Sequence, residues 1–142
     1  MSGPSLYYLD TNVLIAIVEP VAPPEAGQMA FLEKLARGEA AAITSELSLS
    51  ECLVKPFTDN NQRAIDAYFA LFTEPSALLV MAVMREILID AARRRAGSKI
   101  PLPDAIHVST AHAAGCTAFI TQDRRIRFGG SMLLSRWIGI DA

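Results

Sequence analysis

Short apolar runs alternate along the chain with stretches whose apolar residues recur at helical spacing. Leu6 to Leu9 is apolar and rich in aromatics, and Asp10-Thr11-Asn12 separates it from Val13 to Ile17, a pattern that predicts a buried strand turning into a helix with the aspartate at the strand's end. Pro20, Pro23 and Pro24 then break the chain. Glu25 to Arg37 places Met29, Phe31, Leu32 and Leu35 on one side of a helix that Gly38 stops. Ala40 to Ile43 reads as a second strand, and Thr44-Ser45 opens a helix through Leu49, Cys52 and Leu53 to a break at Pro56. Asn60 to Phe72 is amphipathic, with Ile65, Tyr68, Phe69 and Phe72 on one face. Leu78 to Met81 predicts a third strand. Val83 to Ala96 predicts a helix with Ile87, Leu88 and Ala91 inward, closed by Gly97. After Pro101 and Pro103, Asp104 to Ala114 forms a helix ended by Gly115, Thr117 to Thr121 a fourth strand, and Met132 to Leu134 a last short one.

Short apolar strands alternating with helices imply a parallel sheet covered on both faces, a three-layer α/β/α class. No internal repeat, linker or low-complexity segment divides residues 1–142, so a single domain is expected. Ligands of open parallel sheets gather outside the carboxyl ends of the strands, where Asp10 and Asp123 fall in this arrangement.

Composition narrows the class. With 142 residues, 51% of them hydrophobic and 20% charged, the chain is large enough for a real core and lacks the signature of disorder. The longest apolar run, Ala77 to Met84, falls short of the roughly 18 residues that read as a membrane span. Met1-Ser2-Gly3-Pro4-Ser5 carries no basic segment of the kind that opens a signal or transit peptide, and a cytoplasmic location is expected. Cys52 and Cys116 lie inside apolar segments; His112 precedes Cys116 closely, but no second Cys/His pair completes a zinc site, so both read as buried free thiols. The net charge of −2 argues mildly against nucleic-acid binding, yet Arg93-Arg94-Arg95 with Lys99, and Arg124-Arg125 with Arg127, form local basic clusters. Each cluster also reads as a solvated helix end, where cations suit the dipole.

Four acidic residues carry the candidate chemistry: Asp10 after the first strand, Glu51 on the helix after the second, Asp104 at a helix start, and Asp123 after Ile120-Thr121. Gathered by folding, their repulsion would call for a hard cation such as Mg²⁺ or Mn²⁺. Each also has a local explanation: Asp10, Asp104 and Asp123 as helix caps or first-turn charges, and Ser48-x-x-Glu51 as a capping box. Spacing alone does not choose between these readings.

The words around the carboxylates do. Tyr8-Leu9-Asp10-Thr11-Asn12-Val13-Leu14-Ile15 resembles the first motif of the PIN-domain family, in which the Asp is a metal ligand and a neighbouring Thr or Asn helps hold the site. Ile43-Thr44-Ser45 with Ser50-Glu51-Cys52-Leu53 resembles its second motif, Leu102-Pro103-Asp104-Ala105-Ile106-His107 through Thr110-Ala111 its third, and Phe119-Ile120-Thr121-Gln122-Asp123 its fourth. The ordered set covers nearly the whole chain, although Gln122 stands where the family often carries Asn.

The resemblance, closest to VapC-like toxins, implies a metal-dependent endoribonuclease. Asp10, Glu51, Asp104 and Asp123 would hold one or two Mg²⁺ or Mn²⁺ ions, Asn12, Ser45 and Thr121 would orient the carboxylates or equally serve local caps and turns, and Arg124, Arg125 and Arg127 would contact the RNA backbone. It also implies a cognate antitoxin protein and a homodimer. Glu46 is the fallback should Glu51 be only a cap; the two lie five residues apart, roughly 500° around a helix at about 100° each, so they do not share a direction. His107, one turn after Asp104, is placed for general-acid work, but its Ala, Ile, Val and Ser neighbours favour a packed, partner-bonded ring.

Two other readings compete. A phosphotransfer domain needs an Asp-x-Asp motif or a suitably placed Lys, but Asp10-Thr11-Asn12 lacks the second Asp, and Lys55 and Lys99 follow no predicted strand. A non-catalytic RNA-binding or regulatory module on the same fold is the alternative that retains all four carboxylates.

Overall fold

Alternation along the first strand sets the architecture. In the computed structural model, which describes residues 5–24, 26–74, 78–122 and 133–135, β1 spans Ser5–Leu9. Its Leu6 and Tyr8 pack into one core cluster while Tyr7 and Leu9 pack into another, as the two-residue period of a strand requires. The same alternation recurs in β2 (Ala40–Ser45), where Ala42 and Ile43 part to opposite faces, and in β4 (Ala118–Ile120), where Phe119 faces opposite to Ala118 and Ile120. With β3 (Leu79–Met81) and β5 (Leu133–Ser135) these strands form a parallel sheet of order β3-β2-β1-β4-β5. Tyr8 stands opposite Ile43 on one side and Phe119 on the other.

The sheet is covered on both faces, the three-layer arrangement expected. The Leu9 face takes α1 (Thr11–Val18), α2 (Ala26–Ala36), α3 (Glu46–Thr58) and α4 (Gln62–Thr73), whose Leu14, Phe31, Cys52 and Tyr68 join Ala42 and Ile120 in one core. The Tyr8 face takes α6 (Leu102–Ala113) through Val108 and Ala111, with α5 (Arg85–Gly97) packed against α6. His107 of α6 bonds Tyr8 near the end of β1, and Thr117, just beyond α6, donates its N–H to Leu6 O near the beginning. Helix α6 therefore runs antiparallel to β1, with its N-terminal turn at the carboxyl edge of the sheet.

Local chemistry ends most helices where expected. Gly38 and Gly115 have φ of 73° and 75°, the left-handed conformation that lets the chain turn back after α2 and α6. Four expectations change in detail. Pro56 does not break α3 but lies within its final turn: its ring is buried, and the N–H it lacks forgoes one bond two residues before the helix ends. Gly97 is the last residue of α5, which Ser98 closes by donating its hydroxyl to Arg94 O. Leu88 and Phe69 face outward, being 46% exposed. Met29 and Leu32 are also partly exposed, Leu32 because it lines an open apolar groove of about 600 Å³ with Ile17, Leu35, Leu71 and Leu79.

Cys52 and Cys116 are free and buried, and burial pushes their thiols up to about 12 and about 11. Of the first basic cluster, Arg94 turns inward: its Nε donates to Asp90 Oδ2 at 2.9 Å and Ser109 Oγ at 3.1 Å, tying α5 to α6. Among the described residues, no helix is long and apolar enough to cross a membrane.

Candidate active site

From β1 the chain runs to β2 and β3 on one side of the sheet and later returns to β4 and β5 on the other. The direction of the strand order therefore reverses between β1 and β4, and the crevice expected at the carboxyl edge there is the usual ligand position in an open parallel sheet. Asp10 sits in it. Its backbone N–H donates to Ile120 O at 3.0 Å, which continues the ladder, and its side chain caps α1 by accepting the Thr11 N–H at 2.8 Å. Asp10 is only 5% exposed. Across the crevice Thr121 donates its hydroxyl to Asp10 Oδ2 at 2.7 Å, and the Asn12 amide lies 3.4 Å from the same oxygen and 3.3 Å from the Thr121 hydroxyl. Asn12 Oδ1 in turn accepts the Gln122 N–H at 3.1 Å, tying down the backbone at Gln122 just after β4.

Glu51 reaches the same place from α3. Its Oε1 accepts the Thr11 hydroxyl at 2.7 Å and a 2.6 Å bond from His107 Nε2. Thr11 is thus the hinge of the site, holding Asp10 with its backbone and Glu51 with its side chain. Burial raises the Glu51 pKa, but the bonds from His107 and Thr11 outweigh it and hold the carboxyl below its ordinary value, hence ionised. Beneath lies a layer of buried hydroxyls: Ser48 is 3.2 Å from the Thr11 oxygen and 2.8 Å from that of Thr44, which donates to Leu9 O. Behind His107, the Tyr8 hydroxyl meets Nδ1 at 2.6 Å, and burial drives the Tyr8 pKa well above its ordinary value.

Asp104 occupies the first turn of α6, half-buried and one turn before His107, which puts it at the same carboxyl edge. Glu46, the fallback, is exposed at the opposite end of the first turns of α3 from Glu51. Asp123, Arg124, Arg125 and Arg127 lie outside the described residues.

Of the two roles open to Ser45, the structure shows the local cap. Its buried hydroxyl accepts the Leu47 N–H at 3.0 Å and caps α3, because as the last residue of β2 it starts the helix instead of facing the carboxylates. The side chains beneath the site come from Thr44 and Ser48 instead. Ser45→Ala is expected to lower stability by about 1 kcal/mol, as loss of a cap does, read as a lower urea midpoint at unchanged slope. Thr11, Ser48 and His107 are the contacts that motif reading underweighted. Their signal is faint: in the sequence Ser48 shows only as the serine of a capping box with Glu51, a reading the structure replaces because Ser45 caps α3 three residues earlier.

The donor set suits a hard divalent cation. Asp10 and Glu51 offer oxygen ligands, and among the described residues neither is paired with a Lys or Arg. A carboxylate as buried as Asp10, with only neutral donors around it among the described residues, is short of positive charge there. Among the described residues no three His, Cys, Asp or Glu side chains converge closely enough to form a metal cage.

A parallel α/β fold with paired carboxylates at its switch point defines a class of proteins, and sequence comparison identifies which. Residues 7–128 match the PIN domain, and the chain belongs to that family. Comparison with curated proteins by sequence gives no match. Among solved structures, the fold is similar to VapBC2 from Rickettsia felis bound to a DNA fragment from its promoter, with 18% identity and a TM-score of 0.69 over 93% of this chain and 98% of that one. It is also similar to Mycobacterium tuberculosis VapC20, described as a sarcin-ricin loop cleaving toxin, with 16% identity and a TM-score of 0.63 over 84% and 91%. A toxin–antitoxin complex from Klebsiella pneumoniae matches with 23% identity and a TM-score of 0.59 over 85% and 88%.

Proposed function

We propose that this PIN-domain protein is a Mg²⁺- or Mn²⁺-dependent endoribonuclease and the toxin of a type II toxin–antitoxin pair. The observation that carries the proposal is the meeting of Asp10 and Glu51 about Thr11 in the crevice between β1 and β4, with no Lys or Arg paired to either among the described residues. Asp10, Glu51, Asp104 and Asp123 are the proposed ligands, and Asn12 and Thr121 orient Asp10. A cation held there supplies Lewis-acid polarisation of the phosphate and activation of water. Thr11 ties the first two carboxylates together, so a cation that they held would be positioned from the start of α1. Arg124, Arg125 and Arg127 are the proposed contacts to the RNA backbone.

The partner is a cognate antitoxin, an inference from the toxin–antitoxin complexes that share this fold. A homodimer in the cytoplasm completes the proposal.

The test is incubation of total cellular RNA with the purified protein in Mg²⁺, in Mn²⁺ and in EDTA, beside Asp104→Asn. Discrete cuts that need metal and disappear in the variant are expected. Identical RNA patterns in all three conditions would instead favour a non-catalytic RNA-binding module.

A further inference from the structure

We propose that His107, braced by Tyr8, is a positioning residue that fixes Glu51 so that one carboxylate oxygen, Oε2, is presented to the cation. This rests on the assignment of Glu51 as a metal ligand. A glutamate on a helix has three rotatable bonds and would otherwise be free to swing or to chelate through both oxygens. Here Oε1 receives two short hydrogen bonds, from Thr11 Oγ1 at 2.7 Å and His107 Nε2 at 2.6 Å, which occupy both of its lone pairs. Oε2 has neither donor.

The brace reaches into the core. His107 is 1% exposed, and its Nδ1 is 2.6 Å from the hydroxyl of Tyr8, which is fully buried. The Tyr8 ring stacks on Phe119 with centroids 5.1 Å apart and planes 12° apart, so the two central strands fix its direction. An ionised carboxylate can only accept, so Nε2 carries a proton aimed at Glu51, and the Tyr8 hydroxyl against Nδ1 holds the ring in that direction, the way a partner behind an imidazole orients it. Both ring nitrogens are engaged and the ring is shut off from solvent, so His107 is not placed to protonate a leaving oxygen. Its role is orientation.

Mn²⁺ binding by isothermal titration calorimetry, on wild type, Glu51→Gln, His107→Leu, His107→Gln, Tyr8→Phe and the Tyr8→Phe/His107→Leu double variant, tests this directly. His107→Leu is expected to weaken Mn²⁺ binding by about tenfold or more, the usual effect of losing a partner behind a ligand. His107→Gln, whose amide lies the same number of bonds from the backbone as Nε2, should recover part of that loss. Tyr8→Phe should weaken binding less, and the double variant no further than His107→Leu, because Tyr8 acts through the ring. Weakened binding in Glu51→Gln together with wild-type binding in His107→Leu would overturn the positioning role while leaving the metal site standing. Should the wild type bind no Mn²⁺, the ligand assignment falls and this inference with it. If His107→Leu fails to fold, the near-isosteric Tyr8→Phe decides, and an unchanged Mn²⁺ affinity there overturns the proposal.

Discussion

Asp10→Asn is expected to abolish metal-dependent RNA cleavage, lowering it by at least about 100-fold, since partners that merely support a ligand are already worth roughly 10–100-fold. The fold should survive. Asn is as good a helix cap as Asp, and its carbonyl can still accept the Thr11 N–H, so the start of α1 is preserved. What is lost is the negative charge that attracts a cation into a crevice where, among the described residues, the groups bonded to Asp10 are the neutral donors Thr121, Asn12 and the Thr11 backbone. Cleavage of total RNA in Mn²⁺, with thermal unfolding followed on the same preparation, separates the two effects. Wild-type cutting by a folded Asp10→Asn protein would end the reading of Asp10 as a ligand.

The second large effect is on stability. Phe119 is fully buried at the centre of the sheet and stacks on Tyr8, so Phe119→Ala should cost about 3–5 kcal/mol through lost burial and the cavity left behind. Urea denaturation reads that as a drop in midpoint. Because Tyr8 braces His107, weaker Mn²⁺ binding should accompany the loss in whatever fraction remains folded. A stability change below about 1 kcal/mol would show that the site collapses around the gap, an outcome that close packing between two paired strands makes unfavourable.

Much of this arrangement is legible in the chain because strands that are covered on both faces leave short apolar runs, and the helices between them carry their own stops. Leu6 to Leu9 and Thr117 to Thr121 reveal strands for that reason, and Gly38 and Gly115 mark real helix ends. Failures occur where a local rule meets tertiary packing. Pro56 is a helix breaker by its own chemistry, yet its ring is buried and the last turn closes around it. Leu88, Phe69 and Leu32 keep helical spacing but fall at the border of the buried stripe, whose width depends on what packs opposite. In the site, motif order picks out Asp10 and Glu51 without showing that one hydroxyl, that of Thr11, joins them. Nor can spacing show that His107 meets partners 99 and 56 residues away in sequence. Ser45 and Ser48 look alike on paper, and only the exact start of α3 makes one a cap and the other part of the hydroxyl layer.

The hydrogen bond between Thr121 and Asp10 spans 111 positions, and β4, the strand that delivers it, is made after three others and six helices. During synthesis the early part of the chain can therefore pair β1 with β2 and β3 while the crevice still lacks one wall. A nascent or truncated chain that stops before β4 has Asp10 without Thr121, an open edge on β1 in place of a switch point, and no means of closing the cleft. The proposed cleavage activity would thus arise only once translation has passed this strand, a delay built into the order of the strands.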